Sequence, residues 1–172
     1  MTFLWGVGVL ADTAISFDRS GSMERNGNFT PAKNDSKQLI DNLNNNDFKF
    51  GLNSWADSRL TITLDDELKF DHSAVKTSID NLVSSGRTYM PQGIEASDEM
   101  LSGDDVNPDI NATVSARPGV EQIQVFITDT NDPDANGNGT AVQSAADNAK
   151  GKGQRIFVLI YGQRGNDISG WS

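Results

Sequence analysis

Near its carboxyl-terminal end the chain carries Arg155-Ile156-Phe157-Val158-Leu159-Ile160-Tyr161, a near-continuous apolar run that reads as a strand. A strand of that kind is covered on both faces, the mark of a parallel sheet held between helix layers. The preceding residues fit this, because strand patterns alternate with helix patterns. Thr13 to Phe17 is a short strand ending at Asp18. Thr30-Pro31 opens a helix, with Thr as the cap and Pro at the first helical position. Ser36, Leu39, Ile40 and Leu43 share one face of that helix, and the Asn-rich residues 44–47 end it. Phe48 to Trp55 and Leu60 to Leu64 are strands joined by the polar turn Ala56-Asp57-Ser58, a spacing that suits an antiparallel hairpin. Asp71 to Val83 keeps a 3.6 period through Val75, Ile79, Leu82 and Val83. Pro91 to Leu101 is a further helix, with Ile94 and Leu101 on it. Ile123 to Thr128 is a strand. Thr140 caps a last helix lined by Val142, Ala145, Ala146 and Ala149, which Gly151 and Gly153 stop.

The predicted class is therefore α/β, with a mostly parallel central sheet, one antiparallel strand and helices on both faces. The 172 residues fit one domain, 1–172. Within it, residues 1–11 are an apolar segment, read as a buried or edge strand or the worn end of a longer chain rather than a secretory remnant, and residues 162–172 are a short tail, open to being a truncated end. A net charge of −10 argues against nucleic acid and anionic membrane as partners and leaves room for cations. The absence of Cys removes disulfides, thiolate catalysis and Cys-ligated zinc. A single His, His72, removes His-rich metal sites, and its place at a helix start predicts an exposed ring rather than a catalytic base. No apolar run is long enough to span a membrane.

In sheets of this class ligands sit beyond the carboxyl ends of the strands. The first strand ends in Asp18-Arg19-Ser20-Gly21-Ser22-Met23, which puts one carboxylate and two hydroxyls at alternate positions. Gly21 permits a tight turn, so both Ser side chains can face inward. Ser85-Gly86-Arg87-Thr88 offers a third hydroxyl before a helix. The strand ending at Thr128 is followed by Asp129. Two carboxylates and three hydroxyls are hard oxygen donors, suited to Mg²⁺, Mn²⁺ or Ca²⁺. They carry too little charge to satisfy a dication, so water and an outside acidic group would complete its shell.

These residues resemble a known family. Asp18-Arg19-Ser20-Gly21-Ser22 looks like the Asp-x-Ser-x-Ser signature of von Willebrand factor type A (integrin I-like) domains. Gly86-Arg87-Thr88, with Gly93-Ile94 in the following helix, resembles the family's Thr segment, and Val125-Phe126-Ile127-Thr128-Asp129 its later Asp segment. Lys49-Phe50-Gly51-Leu52 with Trp55 resembles its second strand. The resemblance covers Thr13 to Tyr161. It implies a Rossmann-like fold and a metal-ion-dependent adhesion site. Ser20, Ser22 and Thr88 would bind the ion through hydroxyls, and Asp18 and Asp129 directly or through water. The ion, Mg²⁺ or alternatively Mn²⁺ or Ca²⁺, would bind an Asp or Glu of a protein partner. Two departures stand out: Thr130 replaces the usual Gly, and the family's last strand and helix have no counterpart after Tyr161.

The expected role is a cation-dependent protein-binding or adhesion module, extracellular or at the cell surface, and not an enzyme. Two other roles stay open: a structural subunit of an extracellular filament or large assembly, and an intracellular subunit beside an AAA+ ATPase. A second calcium loop is a further candidate: Asp132, Asp134, Asn136 and Asn138 alternate before Gly139, although Gln143 stands where a bidentate Glu is wanted. Glycosylation acceptor patterns begin at Asn28, Asn34, Asn111 and Asn138. Asp65-Asp66-Glu67 is expected to be a solvated turn. A phosphatase reading of Asp18 fails for want of a second Asp at position 20, where Ser20 stands, and no Gly-x4-Gly-Lys-Ser/Thr phosphate loop occurs.

Overall fold

The computed structural model describes residues 9–43, 46–56, 63–104, 116–129 and 139–162. β1 (Ala11–Asp18) is buried along its whole length. It pairs in parallel with β2 (Phe48–Trp55) on one side and with β4 (Glu121–Thr128) on the other. β3 (Thr63–Lys69) runs antiparallel beside β2, and β5 (Arg155–Ile160) runs parallel beside β4. The order β3-β2-β1-β4-β5 makes a mostly parallel sheet with one antiparallel strand. From β1 the chain goes first to β2 on one side and later to β4 on the other. The crevice beyond the carboxyl ends of β1 and β4 is thus a topological switch point.

Alternation along the strands divides the core between two faces. Ile15, Phe17, Phe50, Leu52, Val125 and Ile127 pack with residues of α2 (Phe29–Asn42) and α3 (His72–Asn81). On the other face, Trp55 and Phe126 pack with Ile94 of α4 (Pro91–Ser102) and Val142, Ala145 and Ala149 of α5 (Gly139–Gly151). Gly93 lets α4 come close: a Cβ there would stand 2.5 Å from both Ser16 Oγ and the Trp55 indole. A short helix that the periodicity did not predict, α1 (Gly21–Arg25), follows β1 directly.

Several expectations are corrected. α2 begins at Phe29 rather than at Thr30-Pro31. Phe29 is buried and meets Phe17 edge-on at 5.6 Å, so core packing sets the start one residue earlier. Pro31 is still tolerated, because first-turn amides have no intrahelical partner. β3 is observed over Thr63–Lys69 and runs on past the expected end at Leu64, so Asp65-Asp66-Glu67 is strand rather than turn; the expected start at Leu60 lies outside the described residues. An edge strand tolerates such charges because half its backbone faces solvent. α3 stops at Asn81, and Val83 is 72% exposed. His72 is buried: its Nε2 lies 3.0 Å from the Phe48 carbonyl oxygen and its ring packs edge-on to Phe50.

The apolar run that predicted two-sided cover behaves differently. Ile156 and Val158 pack toward α5. Phe157 and Leu159, register partners of the buried Val125 and Ile127, are 53% and 40% exposed. That face of β5 is partly open, so its apolar composition does not report burial on both sides. Of the apolar amino-terminal segment, Val9 and Leu10 are exposed and Ala11 starts β1; residues 1–8 lie outside the described residues. So do the 132–138 loop, the tail from 163, and the sequons at Asn111 and Asn138. Among the described residues no helix is long and apolar enough to cross a membrane.

Candidate metal centre

β1 and β4 deliver Asp18 and Asp129 to the same end of the sheet because they are adjacent and parallel, with Phe17 opposite Ile127. Both carboxylates are buried, Asp18 completely. One Asp18 oxygen accepts the Ser20 backbone N–H at 2.8 Å, and the other accepts the Thr128 hydroxyl at 2.7 Å. The first of these bonds folds the chain back just after the strand, which brings Ser20 and Ser22 together at 2.9 Å between hydroxyl oxygens. Ser22 Oγ donates to Asp129 Oδ1 at 2.9 Å, and Asn26 Nδ2 donates to Asp129 Oδ2 at 2.9 Å. Because the Ser22 proton goes to Asp129, Ser20 supplies the proton between the two serines.

The segment holding Thr88 is stitched to this turn. Gly21 N–H donates to Gly86 O at 2.9 Å, Ser85 N–H to Arg19 O at 2.7 Å, and the Ser84 hydroxyl to Ser20 O at 2.8 Å. Gly86 has φ 79°, a left-handed conformation that a side chain would strain. Thr88 follows two residues later and is half-buried. Of the five predicted ligands, Asp18, Ser20, Ser22 and Asp129 form one hydrogen-bonded chain, and Thr88 stands on the segment clasped against it. Asp132, Asp134, Asn136 and Asn138 fall outside the described residues.

Among the described residues no ion pair reaches Asp18 or Asp129. Burial accordingly pushes the Asp18 carboxyl up to about 6. Hydrogen bonds from Ser20 and Thr128 oppose that shift, and the neighbouring Asp129 carboxylate adds to it. Nor does any group of three or more His, Asp or Glu side chains gather among the described residues. A metal here would therefore rely on hydroxyl oxygens as much as on charge. The donor set fits a hard dication: every atom is oxygen, both hydroxyl protons are already directed along the chain toward Asp129, and the lone pairs of the serines stay available.

Three contributors were not read from the sequence. Thr128 and Ser84 are ordinary strand and loop residues until the fold brings them to Asp18 and Ser20. Asn26 carried a usable signal, since it stands four residues after Ser22 and so shares its side of a helical turn.

A family model for the von Willebrand factor type A domain matches residues 12–168. A search of curated protein sequences finds no match. Among solved structures, the chain is similar to the pilus adhesin SpaC of Lactobacillus rhamnosus GG in its open conformation. The TM-score is 0.68 at 15% identity, over 88% of this chain and 24% of that one. It is similar to proximal thread matrix protein 1 of the mussel byssus, with TM-score 0.66 and 20% identity over 90% of this chain and 38% of that one. It is also similar to the conserved hypothetical protein BatB of Bacteroides thetaiotaomicron, with TM-score 0.61 and 20% identity over 89% of this chain and 66% of that one. The chain thus spans at most 66% of the length of these three proteins.

Proposed function

The chain belongs to the von Willebrand factor type A domain family, and from that premise we propose that it is a divalent-cation-dependent protein-binding module. The observation that carries the reading is the chain of oxygens from Asp18 through Ser20 and Ser22 to Asp129, at the switch point of the sheet, with no ion pair from the described residues. Ser20, Ser22 and Thr88 would hold the ion through hydroxyls, with Asp18 and Asp129 as the charged residues behind them. A bound Mg²⁺, Mn²⁺ or Ca²⁺ supplies a hard Lewis acid that accepts a carboxylate oxygen from an Asp or Glu of the partner. The site binds and does not catalyse in this reading. His72 is at the far end of β2, bonded to Phe48, and offers no base here. The names of two structural neighbours, a pilus adhesin and a byssus thread matrix protein, support an extracellular setting and a role within a larger assembly.

A second reading, a structural subunit that assembles without the ion, draws on the exposed Phe157 and Leu159 beside a sheet edge. Calorimetric titration with MnCl₂ separates the two. The binding module takes up one ion, and Ser22→Ala weakens it at least about tenfold while the metal-free melt is kept. Proton relaxation of added acetate then reports whether the bound ion accepts a carboxylate. A wild-type chain that takes up neither Mn²⁺ nor Ca²⁺ at millimolar concentration overturns the reading in favour of the structural one.

A further inference from the structure

We propose that Asn26, which lies outside the ligand signature, is a positioning residue for the ion: it locks the free end of Asp129 so that Ser22 and Asp129 meet the cation in a preset geometry. This rests on the metal-dependent reading above and extends it to a residue on α1.

α1 has only five residues, yet its end is tightly defined. Asn26 N–H donates to Ser22 O at 2.8 Å, the bond that closes one α-turn. Asn28 N–H then donates to Met23 O at 2.8 Å, and Gly27 N–H to Glu24 O at 3.0 Å. This is the paired closure of a Schellman motif, and Gly27 supplies the left-handed residue it needs, at φ 71°. Asn26 is therefore held as the last residue before the reversal, with Ser22 one turn before it. Side chains four apart lie on one side of a helix. Here they converge on a single carboxylate from the far side of the switch point, Ser22 on Oδ1 and Asn26 on Oδ2, both at 2.9 Å.

The chemistry of that clamp is specific. Two neutral donors fix both oxygens of Asp129 without neutralising its charge, so the attraction for a dication is retained. Without Asn26 the carboxylate could rotate about its Cβ–Cγ bond, and the Ser22 hydroxyl would lose its fixed acceptor. Ser22 proton direction and lone-pair direction are coupled, so the ligand oxygen would lose its orientation as well. Groups that orient metal ligands are worth roughly tenfold to a hundredfold in metal affinity. Asn26 is exposed, which separates this role from one in core packing. It also lines a cavity of about 250 Å³ with Asn28, Asp129, Tyr161 and Gly162, so it stands where solvent and ions reach the carboxylate.

The test is calorimetric titration of MnCl₂ into the full chain as wild type, Asn26→Ala, Asn26→Gln and Glu24→Ala. Each is paired with a thermal melt in EDTA. Asn26→Ala is expected to weaken Mn²⁺ by about tenfold with the metal-free melt unchanged. Asn26→Gln, which keeps the carboxamide, is expected to recover part of the loss. Glu24→Ala, an exposed change on the same helix, is expected to bind as wild type. Wild-type affinity in Asn26→Ala overturns the inference and leaves the metal reading standing. So does an equal loss in Glu24→Ala, which would mark a general disturbance of α1. A wild type that binds no ion overturns both.

Discussion

Asp12 and Asp18 stand near opposite ends of β1, on the same face of the strand, and neither is exposed to solvent. Their surroundings differ. Asp12 accepts the backbone N–H of Arg117 and, at 2.8 Å, its Nε. The same guanidinium donates to the carbonyls of Ala11 and Asp47, both at 2.8 Å. Asp12 thus carries its counter-charge within the fold, where it ties the residues before β4 to the start of β1 and the turn before β2. Among the described residues, Asp18 has neutral donors and a second carboxylate beside it. A buried carboxylate with an internal cation is a structural tie. One without a cation is unfavourable until something outside the chain supplies positive charge.

Breaking the tie gives the largest expected effect. Arg117→Ala leaves Asp12 buried and unpaired, and is expected to cost about 3–5 kcal/mol in urea denaturation at neutral pH. Asp18→Asn, measured in the same metal-free buffer, removes an unpaired charge and is expected to cost no more than about 1 kcal/mol, the price of one mismatched hydrogen bond. Equal losses in the two variants would abolish the contrast between the ends of β1.

Much of this contrast lay beyond the sequence. Asp18-x-Ser20-x-Ser22, Thr88 and Asp129 were legible because each stands where a strand or loop must leave the sheet, and apolar runs marked β1, β2 and β4. Arg117 gave no signal, because 105 residues separate it from Asp12 and only the closed sheet joins them. The run of β3 past Leu64 is hidden because it is built from Asp65, Asp66, Glu67 and Lys69, composition that reads as a turn unless the strand is known to be an edge. β5 differs in the opposite sense: its unbroken apolar run implies cover on both faces, yet Phe157 and Leu159 are exposed. The helix-start position of His72 implies an exposed ring, whereas the ring turns inward to Phe50. Local pattern reports which residues form a strand. It does not report what packs on the far side.

Asp65 offers an intermediate case. Burial pushes its carboxyl up to about 6, while the Ser54 hydroxyl and the Arg19 guanidinium pull it down. The folded state therefore holds this proton more tightly than the unfolded chain, whose Asp titrates near its ordinary value of 3.8. Stability from this group is present at low pH and is lost as pH rises from about 4 through about 6. The loss is expected to be about 2 kcal/mol, and absent in Asp65→Asn. Urea midpoints at pH 4 and pH 7, with EDTA present, check it. Any contribution from Asp18 is common to both proteins and cancels in the difference. Parallel pH profiles would show that Arg19 compensates Asp65 as fully as Arg117 does Asp12.

The smallest effect tests whether burial, rather than contact distance, separates these carboxylates. Lys76 and Asp41 join α3 to α2 with 2.6 Å between Nζ and Oδ1, closer than Arg117 Nε is to Asp12. Yet their side chains are 29% and 54% exposed, while that of Asp12 is 0% exposed. Water solvates both partners before and after the pair forms, so the Coulomb gain is screened and the entropy of holding two flexible side chains offsets most of what remains. Lys76→Ala is therefore expected to change stability by about 0.5 kcal/mol or less in the urea assay used for Arg117→Ala. A Lys76→Ala loss comparable to that of Arg117→Ala would mean that distance governs both pairs, and Asp18 could not then be singled out by its burial without a cation.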